Sequence, residues 1–237
     1  MKKYIFLIVL QSFTSCMAQE APTLTTKEKN EIQDFFGVKG NVKEIHTDIE
    51  ALTTAGKANY STTTSFYING APIETKMYEN GKFQKTEPWR PSNKEDEKGW
   101  ELIEEFDSKK RLQKTTKYNN GRVVAETEYK YDDSSNKIEE FEKINKTIRS
   151  FKYNKLGKLA EEIEYGANRN DWYSKKKYSY DDKANSIEVL IYYYPDDKAQ
   201  SGKVIKSYDA KGSLIKSIQY DKDNAMITSN VRKITYY

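Results

Sequence analysis

The sequence predicts a mainly β protein: an extended, curved antiparallel sheet or ribbon of irregular β-hairpin repeats, with one short N-terminal helix. Three observations predict it. Hydrophobic residues make up 36% of the 237 and charged residues 32%, against about 45–50% apolar content in ordinary domains, so a deep two-sided core is not expected. Nineteen tyrosines offset part of the deficit, because a Tyr ring covers apolar area while its hydroxyl stays wet. Finally, a phrase of the form Tyr-Asp-x-x-Gly-x-aliphatic recurs between stretches in which apolar and polar residues alternate with period two. The 40 basic and 36 acidic groups, net +4, are interspersed along the chain. A nucleic-acid partner is not expected, since its footprint gathers basic residues on one face.

Residues 1–18 read as an export signal. Lys2 and Lys3 precede the apolar run Tyr4 to Leu10, which is too short to span a bilayer. Two cleavage sites present themselves. Phe13-Thr14-Ser15-Cys16 resembles a bacterial lipobox, which makes Cys16 a lipid anchor; Cys16-Met17-Ala18 reads as an ordinary small-x-small site. The expected location is the outer membrane or periplasm as a lipoprotein, or otherwise the periplasm or exterior. Cys16 is the sole cysteine, so no internal disulfide is available to the mature chain.

Residues 19–37 form a tether and a short helix. Thr25 and Glu28 make a capping box, Ile32, Phe35 and Phe36 fall at helical spacing, and Gly37 is the stop. Residues 38–99 hold N-terminal hairpins and a loop. Asn69-Gly70 and Asn80-Gly81 are central pairs for type I′ turns, and "PWRPSNKEDEKG" at 88–99 reads as a long loop.

Residues 100–237 form the repeat region. The phrase stands as "FDSKKRL" at 106, "YNNGRV" at 118, "YDDSSNKI" at 131, "YNKLGKL" at 153, "YDDKANSI" at 180, "YDAKGSL" at 208 and "YDKDNAM" at 220. The spacings run from 12 to 28 residues, which fits strands of unequal length and not a regular solenoid. In "YDAKGSL" Asp209 opens a type I turn, where its carboxylate accepts a backbone N–H, and Gly212 supplies the positive φ that returns the chain to the strand. Gly157 holds that place at 153, Asn120-Gly121 make a tight pair, and Asn136, Asn185 and Asn224 stand near the glycine position elsewhere, Asn being tolerant of a left-handed backbone. Lys110 fits poorly and points to a different turn at 106. "SIEVLIYYY" is apolar on both faces, Ile187, Val189, Ile191 and Tyr193 on one and Leu190, Tyr192 and Tyr194 on the other, which marks a central or covered strand.

The phrase resembles the YD repeat of Rhs-type bacterial secreted proteins over roughly the C-terminal 130 residues. "MYENGKF" and "KYNNGRV" are also similar to the MORN-variant repeats of YwqK-like antitoxin proteins. The first resemblance implies a curved antiparallel sheet at a bacterial cell envelope. The closed toxin shell of large Rhs proteins is not implied, because the region is too short.

Little in the sequence carries chemistry, and no catalytic residue, metal ligand or cofactor is assigned. His46, the only histidine, reads as a half-exposed strand residue with no second His or mature Cys to complete a ligand set. Adjacent carboxylates (Glu104-Glu105, Glu139-Glu140, Glu161-Glu162, Asp132-Asp133, Asp181-Asp182) point to opposite strand faces and do not clasp one substrate. "DWYSKKKYSY" at 171–180 puts Lys175 and Lys177 on one face and Lys176 on the other, which reads as a protected edge or an anionic contact. Trp100, Trp172 and Tyr173 are the candidate ligand surface, by the stacking capacity of their rings.

Three functional readings follow. The first is a non-enzymatic, lipid-anchored envelope protein that binds an unknown protein or glycan, the second an immunity-like protein neutralising one exported toxin. The third, a carbohydrate-active enzyme, requires two carboxylates facing one cleft across strands.

Overall fold

The computed structural model describes residues 24–53, 56–89, 98–166, 171–183, 185–196 and 199–237. The signal segment with Cys16, and most of the 88–99 loop, lie outside the described residues. One helix, α1 (Thr26–Phe36), precedes fifteen strands: β1 (Val42–Thr53), β2 (Gly56–Phe66), β3 (Pro72–Glu79), β4 (Lys82–Pro88), β5 (Trp100–Phe106), β6 (Leu112–Asn119), β7 (Arg122–Tyr131), β8 (Lys137–Glu142), β9 (Thr147–Tyr153), β10 (Leu159–Tyr165), β11 (Trp172–Asp181), β12 (Ser186–Tyr193), β13 (Gly202–Tyr208), β14 (Leu214–Asp221) and β15 (Met226–Tyr236). All belong to one antiparallel sheet. The repeats β5 to β15 form a meander, and β1 pairs with β15, so that β2, β3 and β4 continue the sheet from the other side of the C-terminal strand. The segments 38–99 and 100–237 therefore share a single sheet.

The sheet is open but strongly curled, as chain length dictates. The Trp89 N–H donates to the Ile73 carbonyl (2.9 Å) at the β4 edge, and the Gly99 carbonyl accepts from the Asn120 N–H (2.6 Å) near the β5 edge. Ten residues of chain reach at most about 36 Å. Fifteen strands, spaced about 4.8 Å apart, have a flat path of about 67 Å. The edges must approach each other, and the sheet curls through more than half a turn.

The small core sits where α1 covers β1, β2 and β15. Val38, Val42, Ile45 and Phe66 are buried, with Ile32, Phe36, Ile234 and Tyr236 packed against them. The Thr25 cap is complete: its hydroxyl accepts from the Glu28 N–H (3.2 Å) while Glu28 accepts from the Thr25 N–H (2.7 Å). Phe36 meets Phe66 edge to face at 5.1 Å; Phe35, also read from the sequence as a packing residue, is 83% exposed. Gly37 ends the helix at φ +62°, and the Arg232 guanidinium donates to the Phe36 carbonyl (2.6 Å), occupying one of the acceptors that a helix C-terminus leaves open.

The recurring phrase is a five-residue turn. In five of the seven copies the first turn residue's N–H donates to the fifth residue's carbonyl and the fourth residue's N–H returns to the first carbonyl: Asp107–Arg111, Asp132–Asn136, Asn154–Lys158, Asp209–Ser213 and Asp221–Ala225. The acidic or amide side chain then accepts from backbone N–H groups of the third and fifth residues: Asp209 from Lys211 and Ser213 (2.9 and 2.8 Å), Asn154 from Leu156 and Lys158 (2.9 and 3.0 Å). The fourth residue is left-handed throughout: Lys110 (φ +61°), Ser135 (+67°), Gly157 (+72°), Gly212 (+82°) and Asn224 (+60°). Two details differ from the sequence reading. The turn at 107 is of the same kind as the others, because the Asp107 carboxylate bonds Lys109 and Arg111 (2.9 Å each) and holds Lys110 in place. At 132 the left-handed residue is Ser135, and Asn136 instead donates its amide to Asp132 (3.0 Å).

Asn80-Gly81 (φ +49° and +74°) and Asn120-Gly121 (+50° and +74°) are two-residue type I′ turns. Asn69-Gly70 is not. Tyr67 N–H bonds the Ala71 carbonyl (2.8 Å), so this is another five-residue turn, with Gly70 (φ +93°) in the left-handed place and the Asn69 side chain accepting from Ala71 (3.0 Å).

The phrase's tyrosine also has a polar task. Tyr131, Tyr153 and Tyr180 donate their hydroxyls to the carbonyls of Leu112, Lys137 and Leu159, each at 2.8 Å. In each pair the carbonyl opens the neighbouring strand, just after the preceding turn. Phe would pack there, but the carbonyl would lose its partner.

Candidate ligand-binding faces of the sheet

Register sorts the strand residues onto two faces. Ile45 opposes Ile234 and Thr64 on the face covered by α1. Following the pairings through β14 to β11 places Lys175, Lys177, Leu190, Tyr192, Lys203, Ile205 and Ile218 on the opposite face. One row there reads Lys177, Leu190, Lys203, Tyr220 across four strands.

On that face lysines lie over aromatic rings. The Lys177 ammonium is 5.1 Å from the Tyr192 ring centre and Lys203 is 5.0 Å from Tyr220; Lys175 stands 4.9 Å over Trp172. In each stack the ammonium itself lies over the ring face, as the ring's negative quadrupole favours. Tyr192 is thereby reduced to 8% exposure. At the end of β11, Trp172 contacts Tyr194 edge to face (6.0 Å), and Tyr173 (59%) and Tyr194 (54%) keep exposed rings.

Trp100 is elsewhere. It starts the edge strand β5 with the Lys117 ammonium over its ring (4.5 Å), and six strand spacings of about 4.8 Å, roughly 29 Å along the sheet, separate β5 from β11. The three candidate aromatics do not form one platform; Trp172 and Tyr173 belong together and Trp100 does not join them.

The helix-side face carries a second feature. A pocket of about 300 Å³ is lined by Glu140, Glu142, Glu162 and Glu164 with Thr127, Asn145, Thr147, Arg149 and Lys176. Carboxylates that point apart within one strand are brought onto one face by pairing, Glu140 against Arg149 and Arg149 against Glu164. All four are engaged. Glu140 takes Lys137 and Arg149 (3.4 Å), Glu142 the N–H groups of Ile144 (3.1 Å) and Asn145 (2.5 Å), Glu162 Tyr178 (2.8 Å) and Lys176 (3.1 Å), and Glu164 Ser174 (3.5 Å). Burial pushes the Glu162 carboxyl up, but hydrogen bonds from Tyr178 and Lys176 outweigh it and hold the group below the usual carboxylate range. Burial, and then the bond to Glu162, push the Tyr178 phenol well above its ordinary value. A glycosidase pair requires one carboxyl kept protonated as general acid, and the surroundings of Glu162 act in the opposite sense.

His46 is held by Thr63 (Nδ1, 2.9 Å) and Asp48 (Nε2, 3.1 Å). Among the described residues no three His, Cys, Asp or Glu side chains gather as a metal site, and no helix is long and apolar enough to cross a membrane. Asp132 spends both carboxylate oxygens on Asn136 (2.8 and 3.0 Å). Asn69, Gly70, Asn80, Gly81, Asn120, Gly121, Gly157, Asp209, Gly212 and Asn224 all lie in turns between strands. The lysine row escaped the sequence reading because Lys203 and Tyr220 are far from "DWYSKKKYSY" along the chain; only register joins them.

No protein-family model and no curated protein matches the chain. Among solved structures, it is similar to a Tc holotoxin pore of Photorhabdus luminescens at 10% identity and a TM-score of 0.35, over 73% of this chain and 10% of that one. It is also similar to a porin-like protein from Bacteroides uniformis at 10% identity and a TM-score of 0.28, over 83% of this chain and 98% of that one. The chain thus spans a small fraction of the toxin chain, and neither likeness bears on its function.

Proposed function

We propose that the chain is a non-enzymatic binding protein of the cell envelope, held there by lipid on Cys16, which presents the β11–β14 face to a ligand. The observation that carries the reading is the set of three lysines stacked on Trp172, Tyr192 and Tyr220 beside the exposed rings of Tyr173 and Tyr194. Positive charge and exposed aromatic area together are what a polar surface ligand needs. The YD-like phrases support the envelope assignment by resemblance. Fractionation of cells with metabolic lipid labelling is expected to place the wild type in the membrane and to release an unlabelled Cys16→Ala. If label and location are unchanged in that variant, the anchor is not Cys16. A glycan array tests the face itself, and retention on no glycan would remove this ligand class.

A second reading, an immunity-like protein with one exported partner, draws on the β5 edge. Every β5 residue is exposed, including Trp100 (43%), Leu102 (53%) and Phe106 (57%). The strand contains no Lys, no Pro and no bulge of its own, the devices that discourage strand addition. The Asp107 N–H points inward to Arg111, so by alternation the N–H groups of Leu102, Glu104 and Phe106 face the open side. In co-purification with products of neighbouring genes, Glu104→Pro should lose a partner that adds a strand there and leave the β5–β6 ladder whole. A partner retained by Glu104→Pro binds elsewhere.

A further inference from the structure

We infer that the ligand of the β11–β14 face is an acidic polysaccharide, a linear glycan with carboxylate groups along its length. The inference rests on the reading of that face as a binding surface, and it adds the ligand's chemistry. Lys177 is exposed and Lys175 and Lys203 are half-buried; they come from two strands separated by β12, so their charges spread across the sheet instead of following one strand. The spread suits an extended polyanion better than a compact monovalent ion. Trp172, Tyr173 and Tyr194 stand beside this charge at the end of β11, where ring faces suit the apolar sides of sugar rings. Acidic groups facing the same patch are few. Glu161, opposite Lys177 in the register, is already taken by Lys152 (2.7 Å), and Glu188 and Asp181 lie further towards the turn end of β11 and β12. Lys216 on β14 faces the same way; beyond it Lys233 is met on the same face of β1 by Glu44 and Asp48, either side of His46, so the positive field ends at β14. Stacking each ammonium on a ring pre-orders the lysine stems, which lowers the entropy lost when an anion docks.

The test uses the mature, detergent-solubilised protein against immobilised polygalacturonate, with dextran as a neutral glycan and single-stranded poly(dT) as another polyanion. Expected are retention on polygalacturonate and not on dextran, weakening as salt is raised, and an affinity loss of roughly tenfold or more, about 1.4 kcal/mol, in Lys177→Gln/Lys203→Gln. Tyr173→Ala should weaken binding without altering its salt dependence, and a circular-dichroism spectrum unchanged from wild type checks that each variant is folded. Equal binding by the folded double variant, or preference for poly(dT), overturns the inference. Retention on dextran but not on polygalacturonate overturns the acidic specificity alone, and retention on neither glycan overturns the glycan reading along with it.

Discussion

Phe66→Ala is expected to lower the unfolding free energy by about 3–5 kcal/mol, the usual cost of removing a buried Phe, and the melting temperature by roughly 10 °C for a chain of this size. Phe66 is 2% exposed and forms the floor of the only hydrophobic cluster among the described residues, with Val38, Val42 and Ile45. A thin sheet has little spare apolar material to collapse into the cavity. The ring also holds Phe36, so its loss loosens α1 from β1 and β2. Phe35→Ala is the control: at 83% exposure it should shift stability by less than about 0.5 kcal/mol. Chemical denaturation of both variants, with limited proteolysis in the segment before β1, reads the difference. A loss below about 1 kcal/mol for Phe66→Ala would mean that the helix does not depend on this contact.

The contrast between Phe35 and Phe36 shows where sequence reading stops. Helical spacing brought both into the apolar set; only the site of docking decides which one faces the sheet. Alternation and turn residues were enough for an antiparallel, curved sheet with one capped helix, because each of those signals is local. The pairing of β1 with β15 is not local, and nothing near Val42 or Tyr236 signals it. Lys110 and Ser135 were legible only in part, since the left-handed residue is fixed by the carboxylate three positions earlier, whatever side chain it carries. Asn69-Gly70 misled for the related reason that a dipeptide suited to a type I′ turn also suits a five-residue turn. The lysine row and the carboxylate pocket are products of register. The sequence could supply their members, in Lys175, Lys177 and the Glu pairs, but not the cross-strand neighbours that complete them.

Asp209 carries the second large effect, because its turn is stitched to three other parts of the chain. The carboxylate accepts from the N–H groups of Lys211 and Ser213 and from the Tyr236 hydroxyl (2.6 Å). Ser213 is completely buried; its hydroxyl accepts from the Lys39 N–H (2.8 Å) and donates to the Tyr236 oxygen (2.8 Å), and Leu214 N–H bonds the Gly37 carbonyl (2.8 Å). Asp209→Ala strands the Ser213 N–H and removes the acceptor of Tyr236. Unmade hydrogen bonds of this kind cost about 1–3 kcal/mol each, and with the solvent-facing side of the carboxylate discounted the expected loss is about 2–3 kcal/mol. Asp209→Asn should lose less, because Asn154 makes the same two backbone bonds in its own turn. The asparagine variant also isolates the charge. Burial pushes the Asp209 carboxyl up, but the bonds from Tyr236, Ser213 and Lys211 outweigh it, leaving the group below the ordinary aspartate value. A carboxyl whose value is lower in the folded than in the unfolded chain stabilises the fold above its unfolded value, near pH 4, and this contribution is lost as the pH falls through its folded value. The stability difference between wild type and Asp209→Asn should therefore be constant above about pH 5 and shrink as the pH falls below about 4. Asp107 and Asp132, also held low by their turns, remain in both proteins and cancel in the difference. Denaturation curves from pH 7 to pH 2.5 measure it, and a difference that stays constant or widens on acidification would show that the Asp209 charge does not secure this turn.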